Sequence, residues 1–62
     1  MYVEDVKKYE GRRVLIILSN KFKYTAVLPK LNGTTFTIVD KYGHEATIDC
    51  DMIQLITEVK NE

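Results

Sequence analysis

Cys50 is the only cysteine in the chain, so no disulfide can form within it. A small scaffold thereby loses one of its usual reinforcements. There is also one histidine, His44. A four-ligand zinc site needs several Cys and His residues at close spacing, and no metal or cofactor is expected here. The glycines Gly11, Gly33 and Gly43 are isolated from one another, which excludes a glycine-rich loop that cradles phosphate. Net charge is zero, so the strongly basic character of a general nucleic-acid binder is missing overall. The longest apolar run, Val14-Leu15-Ile16-Ile17-Leu18, is far short of the roughly 20 residues that a membrane helix needs. An unpaired thiol, with no apolar leader-like stretch at the start, points to a reducing, cytoplasmic setting.

The 62 residues present suffice for one domain, 1–62. A chain of about 60 residues buries only about 60% of the surface that its unfolded form exposes, so stability is thin. With disulfide and metal set aside, self-association is the expected reinforcement. Charge is unevenly spread. Through Lys41 there are eight basic residues (Lys7, Lys8, Arg12, Arg13, Lys21, Lys23, Lys30, Lys41) against four acidic ones, and beyond it only Lys60 faces Glu45, Asp49, Asp51, Glu58 and Glu62. Such a split gives either a positive and a negative face, suited to head-to-tail packing or phosphate contact, or an ordinary mixed surface.

Residues 2–10 read as a short helix, with Tyr2, Val6 and Tyr9 at helical spacing, Val3 beside them and Gly11 at the C-terminal cap position. From Arg12 onward the period becomes two, rich in β-branched and aromatic residues. The first strand, 13–18, is apolar on both faces. Val14, Ile16 and Leu18 line a core, while Leu15 and Ile17 need a cover, either the opening helix or a second subunit. Ser19-Asn20 forms a turn. In the second strand, 21–28, Phe22, Tyr24, Ala26 and Leu28 alternate with Lys21, Lys23, Thr25 and Val27, which places both rings in the core. Pro29 limits that strand, having no N–H for a central ladder. Asn32-Gly33 predicts a hairpin turn of type I′, with positive φ at both positions. Strands follow at 34–39, 44–50 and 53–59, the first two joined by a turn at 41–43. The expected fold class is all-β with one short N-terminal helix: five antiparallel strands in a small, strongly bent barrel without free edges.

Candidate chemistry is sparse. If His44 and Cys50 share one strand, six residues at about 3.3 Å each place them roughly 20 Å apart, too far for a base and nucleophile. Cys50 reads as a small buried apolar residue and His44 as a surface turn residue. Asp49 and Asp51 share strand parity, about 6.6 Å apart, but acid/base work would need a cleft and burial. An exposed acidic edge, matched to a basic patch on a neighbour, is the simpler reading. No catalytic residues are assigned. Arg12, Arg13, Lys21 and Lys23 beside Phe22 and Tyr24 form the pattern of cations for phosphates and rings for bases. The alternation, however, puts the rings opposite the lysines.

The segment Ile48-Asp49-Cys50-Asp51-Met52-Ile53-Gln54-Leu55-Ile56 resembles the second half of the signature of the Sm-like family, the Sm, Lsm and Hfq-type proteins. That half reads isoleucine, arginine, glycine, two variable residues, isoleucine, two more, isoleucine, and all three apolar positions recur at the same spacing. Val14, Ile16, Leu18, Tyr24, Ala26 and Leu28 are similar to its first half. The resemblance implies an N-terminal helix, a bent five-stranded barrel, and rings of about six or seven subunits that bind RNA. At the RNA positions the chain departs from the family. Asn32 and Phe36 stand where the family has aspartate and asparagine, and Asp49 and Cys50 where it has arginine and glycine.

Two functions stay open from these residues. One is a non-catalytic Sm-like binding module that self-associates by pairing its fourth strand with a neighbour's fifth and contacts RNA. The other is an SH3-like protein-protein adaptor or regulatory protein, encoded by a virus or mobile element, without RNA binding. The residues expected at RNA or partner contacts are Arg12, Arg13, Lys21, Lys23, Lys30, Asn32, Asp49 and Asp51.

Overall fold

A computed structural model of the chain describes residues 1–40 and 42–60. It is mostly β, with one short helix α1 (Val3–Lys7) and strands β1 (Arg13–Leu18), β2 (Lys23–Val27), β3 (Thr35–Val39), β4 (Glu45–Asp49) and β5 (Ile53–Glu58). A 3₁₀ turn, Cys50–Met52, joins β4 to β5. The strands form two antiparallel sheets, one ordered β2-β1-β5 and the other β3-β4.

A single core lies between the sheets. It contains Val14, Ile16 and Leu18 of β1, Leu28, Phe36 and Ile38 of β3, Ile48 of β4, Cys50 and Ile53, with Val6 of α1 among them. The β1 alternation holds as expected: those three side chains are buried while Leu15 and Ile17 on the other face are half-buried. The helix does not cover Leu15 and Ile17. Val3 and Tyr9 pack with Val6 on the inner cluster, so the outer face of the three-stranded sheet stays open, with Val27 and Leu55 also exposed on it.

The helix is shorter than expected because its second half tightens into i→i+3 turns, the Tyr9 N–H donating to the Val6 carbonyl at 3.0 Å and the Glu10 N–H to that of Lys7 at 3.2 Å. At its start Tyr2 holds the N-cap position without a side-chain hydrogen bond and is itself exposed. Gly11 has positive φ (81°), but its N–H goes across to the Leu28 carbonyl at 2.8 Å instead of capping helix carbonyls. It turns the chain from α1 into β1.

The barrel does not close. β2 and β3 run in separate sheets with no hydrogen-bonded register between them. The cause lies at 28–31. The Leu28 N–H donates to the Arg12 carbonyl (2.9 Å), Pro29 has no N–H to give, and the Leu31 N–H donates to Glu10 Oε2 at 2.8 Å. These bonds tie the connection back to the α1–β1 corner, so β2 cannot continue into the second sheet.

Two turns differ from expectation. Asn32 and Thr35 exchange both backbone hydrogen bonds (2.8 and 3.1 Å), and only Gly33 of this turn has positive φ (65°). Positive φ at the first central residue alone is the II′ signature, so the central pair is Gly33-Thr34 and not Asn32-Gly33. The β1–β2 loop includes Lys21 as well as Ser19 and Asn20. Leu18 and Phe22 close it, Leu18 N–H donating to the Phe22 carbonyl at 2.9 Å, and Lys21 takes φ 73°. The turn expected at 41–43 lies partly outside the described residues, which do not include Lys41.

Candidate functional site

Hydrogen-bond alternation determines which backbone groups of β2 and β3 remain available. In an antiparallel pair, residues directly opposite alternate between exchanging hydrogen bonds and not. Leu18–Phe22 and Arg12–Leu28 are hydrogen-bonded at the two ends of the β1–β2 ladder, and the register between them is unbroken, with Ile16 opposite Tyr24 and Val14 opposite Ala26. Tyr24 and Ala26 therefore bond to β1, and Lys23, Thr25 and Val27 aim their N–H and C=O groups away from it. On β3, Asp40–His44 and Thr34–Cys50 are the bonded ends. Phe36 and Ile38 then bond to β4, and Thr37 and Val39 aim outward.

These two unpaired edges border a cleft of about 420 Å³ lined by Lys23, Tyr24, Thr25 and Ala26 from β2 and by Ile38, Val39, Asp40 and Tyr42 from β3 and the turn after it. Asp40 shapes the mouth: its Oδ1 accepts the N–H groups of Tyr42 and His44, both at 2.9 Å, and His44 Nδ1 lies 3.8 Å from its Oδ2. Lys23 is exposed on the opposite wall. Among the described residues it forms no ion pair.

The residues expected at RNA or partner contacts are scattered. Arg12 is held by Glu58 across β5, Nη1 to Oε1 at 3.1 Å. Arg13 starts β1 opposite Val27, and Lys30 is exposed in the loop after Pro29. Lys21 sits in the turn beyond the other end of β1, a strand length of roughly 20 Å away from Arg12 and Arg13. These five basic residues therefore build no common patch, and of the eight residues expected at contacts Lys23 alone lines the cleft. Asn32 is occupied in backbone pairing with Thr35.

Asp49 and Asp51 do not share a strand face. β4 ends at Asp49, whose Oδ1 accepts the Asp51 N–H at 3.0 Å and starts the 3₁₀ turn. Phe22, expected in the core with Tyr24, is 60% exposed, because it lies outside β2 at the loop-closing pair; Tyr24 is half-buried against the core.

Cys50 is buried. Burial, and next the Asp49 carboxylate beside it, push its thiol upward from the usual range, the reverse of what a nucleophile needs. His44 is exposed at the far end of β4, beyond the β3–β4 hairpin's last pair. No group of three or more metal-ligating side chains occurs among the described residues, and no helix among them is long and apolar enough to cross a membrane.

Sequence reasoning missed Tyr42, Val39 and the outward groups of Thr25. The parity of Tyr24 and Thr25 was readable, but which edges stay open depends on where the 28–31 connection is anchored. In comparisons with models of known families, with curated proteins and with solved structures, the chain matches none.

Proposed function

We propose that this chain is a non-catalytic binding module of the small Sm-like or SH3-like kind, working as an adaptor for a protein partner in a reducing, cytoplasmic setting. The observation that carries this reading is the pair of unpaired strand edges beside the β2–β3 cleft. A strand edge offers alternating donors and acceptors that another polypeptide backbone satisfies.

RNA binding is the weaker reading. Phosphate recognition draws on clustered cations, whereas Arg12 is paired with Glu58 and Lys21 stands a strand length from Arg13. Asp49 and Asp51 occupy the stretch where the resembled family meets RNA, and carboxylates there repel phosphate. The non-catalytic reading is supported by the separation of His44 from Cys50 and by the raised thiol.

Self-association into an Sm-like ring is a second reading, favoured by one observation: β4 and β5 are each paired on one side only. Against it, β4 carries Glu45 and Asp49 and β5 carries Glu58, so joining the two edges brings acidic residues together, and like charges directly opposite destabilise a ladder.

Titration of a fluorescent U-rich or A-rich oligoribonucleotide at low and physiological salt tests the choice. The adaptor reading predicts no binding in the micromolar range at either salt. Tight binding that weakens steeply with salt would overturn it in favour of RNA.

A further inference from the structure

We infer that the β2–β3 cleft is the docking site, and that its occupant is an extended segment of a partner protein which adds a strand to these edges, with an apolar or aromatic side chain between Tyr24 and Tyr42 and a carboxylate beside Lys23. This rests on the adaptor reading and specifies its site and ligand.

Three features select that occupant. The first is the backbone. Lys23, Thr25 and Val27 along the β2 edge and Thr37 and Val39 along the β3 edge present N–H and C=O groups in strand alternation, and each strand lacks a partner on that side. Outward donors and acceptors that recur on every second residue, about 6.6 Å along a strand, are matched by another extended backbone, which carries both N–H and C=O groups; a phosphate backbone offers acceptors alone.

The second feature is apolar surface. Val39 and Tyr42, both in the cleft lining, are 56% and 73% exposed. Strands put alternate side chains on opposite faces, so an added strand directs every second side chain toward the Tyr24–Tyr42 gap. The cleft of about 420 Å³ holds one such ring with its flanking backbone.

The third is charge. Among the described residues Lys23 has no carboxylate partner, while Asp40 on the opposite wall already accepts two backbone N–H groups. Among the described residues the cation of the cleft left for a ligand is therefore Lys23, which selects an acidic side chain. By contrast the β4 edge carries Glu45 and Asp49, and β5 carries Glu58 next to Arg12, so neither of those edges favours the same peptide.

The test selects heptapeptides from a random phage-displayed library on the intact chain, and maps the enriched peptide, made synthetically with blocked ends, by amide shifts and amide exchange. Enrichment of alternating apolar or aromatic residues with Asp or Glu is expected, with new exchange protection at Thr25, Val27, Thr37 and Val39. Thr25→Pro deletes an outward N–H, the kind of edge position where proline is tolerated, and should weaken binding at least tenfold. Lys23→Glu keeps every backbone group and should weaken the acidic peptide at least tenfold, a loss that an acidic-to-basic change in the peptide restores; this variant carries the test if the proline variant fails to fold. Unchanged affinity in the folded variants, or shifts centred on β4 or β5, would overturn the cleft while leaving the adaptor reading intact. Protection of the same amides on raising protein concentration alone would give the site to a second copy and overturn the proposal. Failure to enrich any peptide would remove both.

Discussion

Lys21 holds the left-handed conformation (φ 73°) that L-residues adopt at a cost of about 1–2 kcal/mol. It is there because the loop between Leu18 and Phe22 closes with a backbone reversal, and the Asn20 side chain supports it by accepting the Phe22 N–H at 3.1 Å. Glycine has no Cβ to strain in that region but loses more chain entropy on folding. Lys21→Gly is therefore expected to stabilise the protein by a net of about 0.5–1 kcal/mol, read from the midpoint of urea unfolding; a loss of stability would show that the Lys21 side chain contributes contacts absent from this account. Cys50 gives a second residue-level expectation. Its pKa is raised by burial first and Asp49 second, so folding favours the neutral thiol. The contribution is fully present below the unfolded value of 9.0 and is lost as pH rises through the higher folded value. Stability should fall above pH 9.0 more in the wild type than in Cys50→Ala, and native Cys50 should react with a thiol reagent at neutral pH only as fast as the core opens. Residue burial was largely legible: period two in β1 and the burial of Cys50 both emerged from pattern alone. Phe22 was not, since parity says which way a side chain points but not whether the strand and its cover extend that far.

Among the elements, α1 depends most on its surroundings. Five residues are far below the length at which an isolated helix is stable in water, about 12–15; Val6, fully buried in the common core, holds it. Val6→Ala should cost about 1.5–3 kcal/mol and release the 3–7 amides to exchange before those of β1. The strand edges provide a sharper contrast. Arg13 and Val59 are hydrogen-bonded, Val59 N–H to the Arg13 carbonyl at 2.9 Å, so by alternation Leu55 bonds to Ile17 within the chain. Leu55→Pro should then unfold the protein itself, whereas Thr25→Pro, whose N–H faces outward, should keep the native far-ultraviolet circular dichroism. Equal damage from both would refute the register drawn here. Element existence and order followed from sequence because alternation and turn residues are local signals. The open gap between β2 and β3 did not, because it is set by Leu28 reaching Arg12 and Leu31 reaching Glu10, contacts between residues distant along the chain. The turn at Asn32-Gly33 was visible as a turn, but its one-residue offset depends on the Asn32–Thr35 pairing.

For the molecule as a whole, a domain of this length has a total stability of about 3–9 kcal/mol, and truncating a fully buried residue such as Ile16 to alanine costs about 2–5 kcal/mol, a large fraction of that. Such a margin is why self-association was expected. The edges weigh differently: acidic residues lie on β4 and β5, whereas β2 and β3 present Lys23, apolar side chains and a cleft. On the adaptor proposal the chain folds alone around the core between its two sheets and keeps an edge for a different polypeptide. Absolute mass by light scattering on a size-exclusion column, at micromolar concentration, tests this most directly. The account predicts the 7.2 kDa of a single chain; a particle of about 43–50 kDa, six or seven copies in a closed ring, would contradict it.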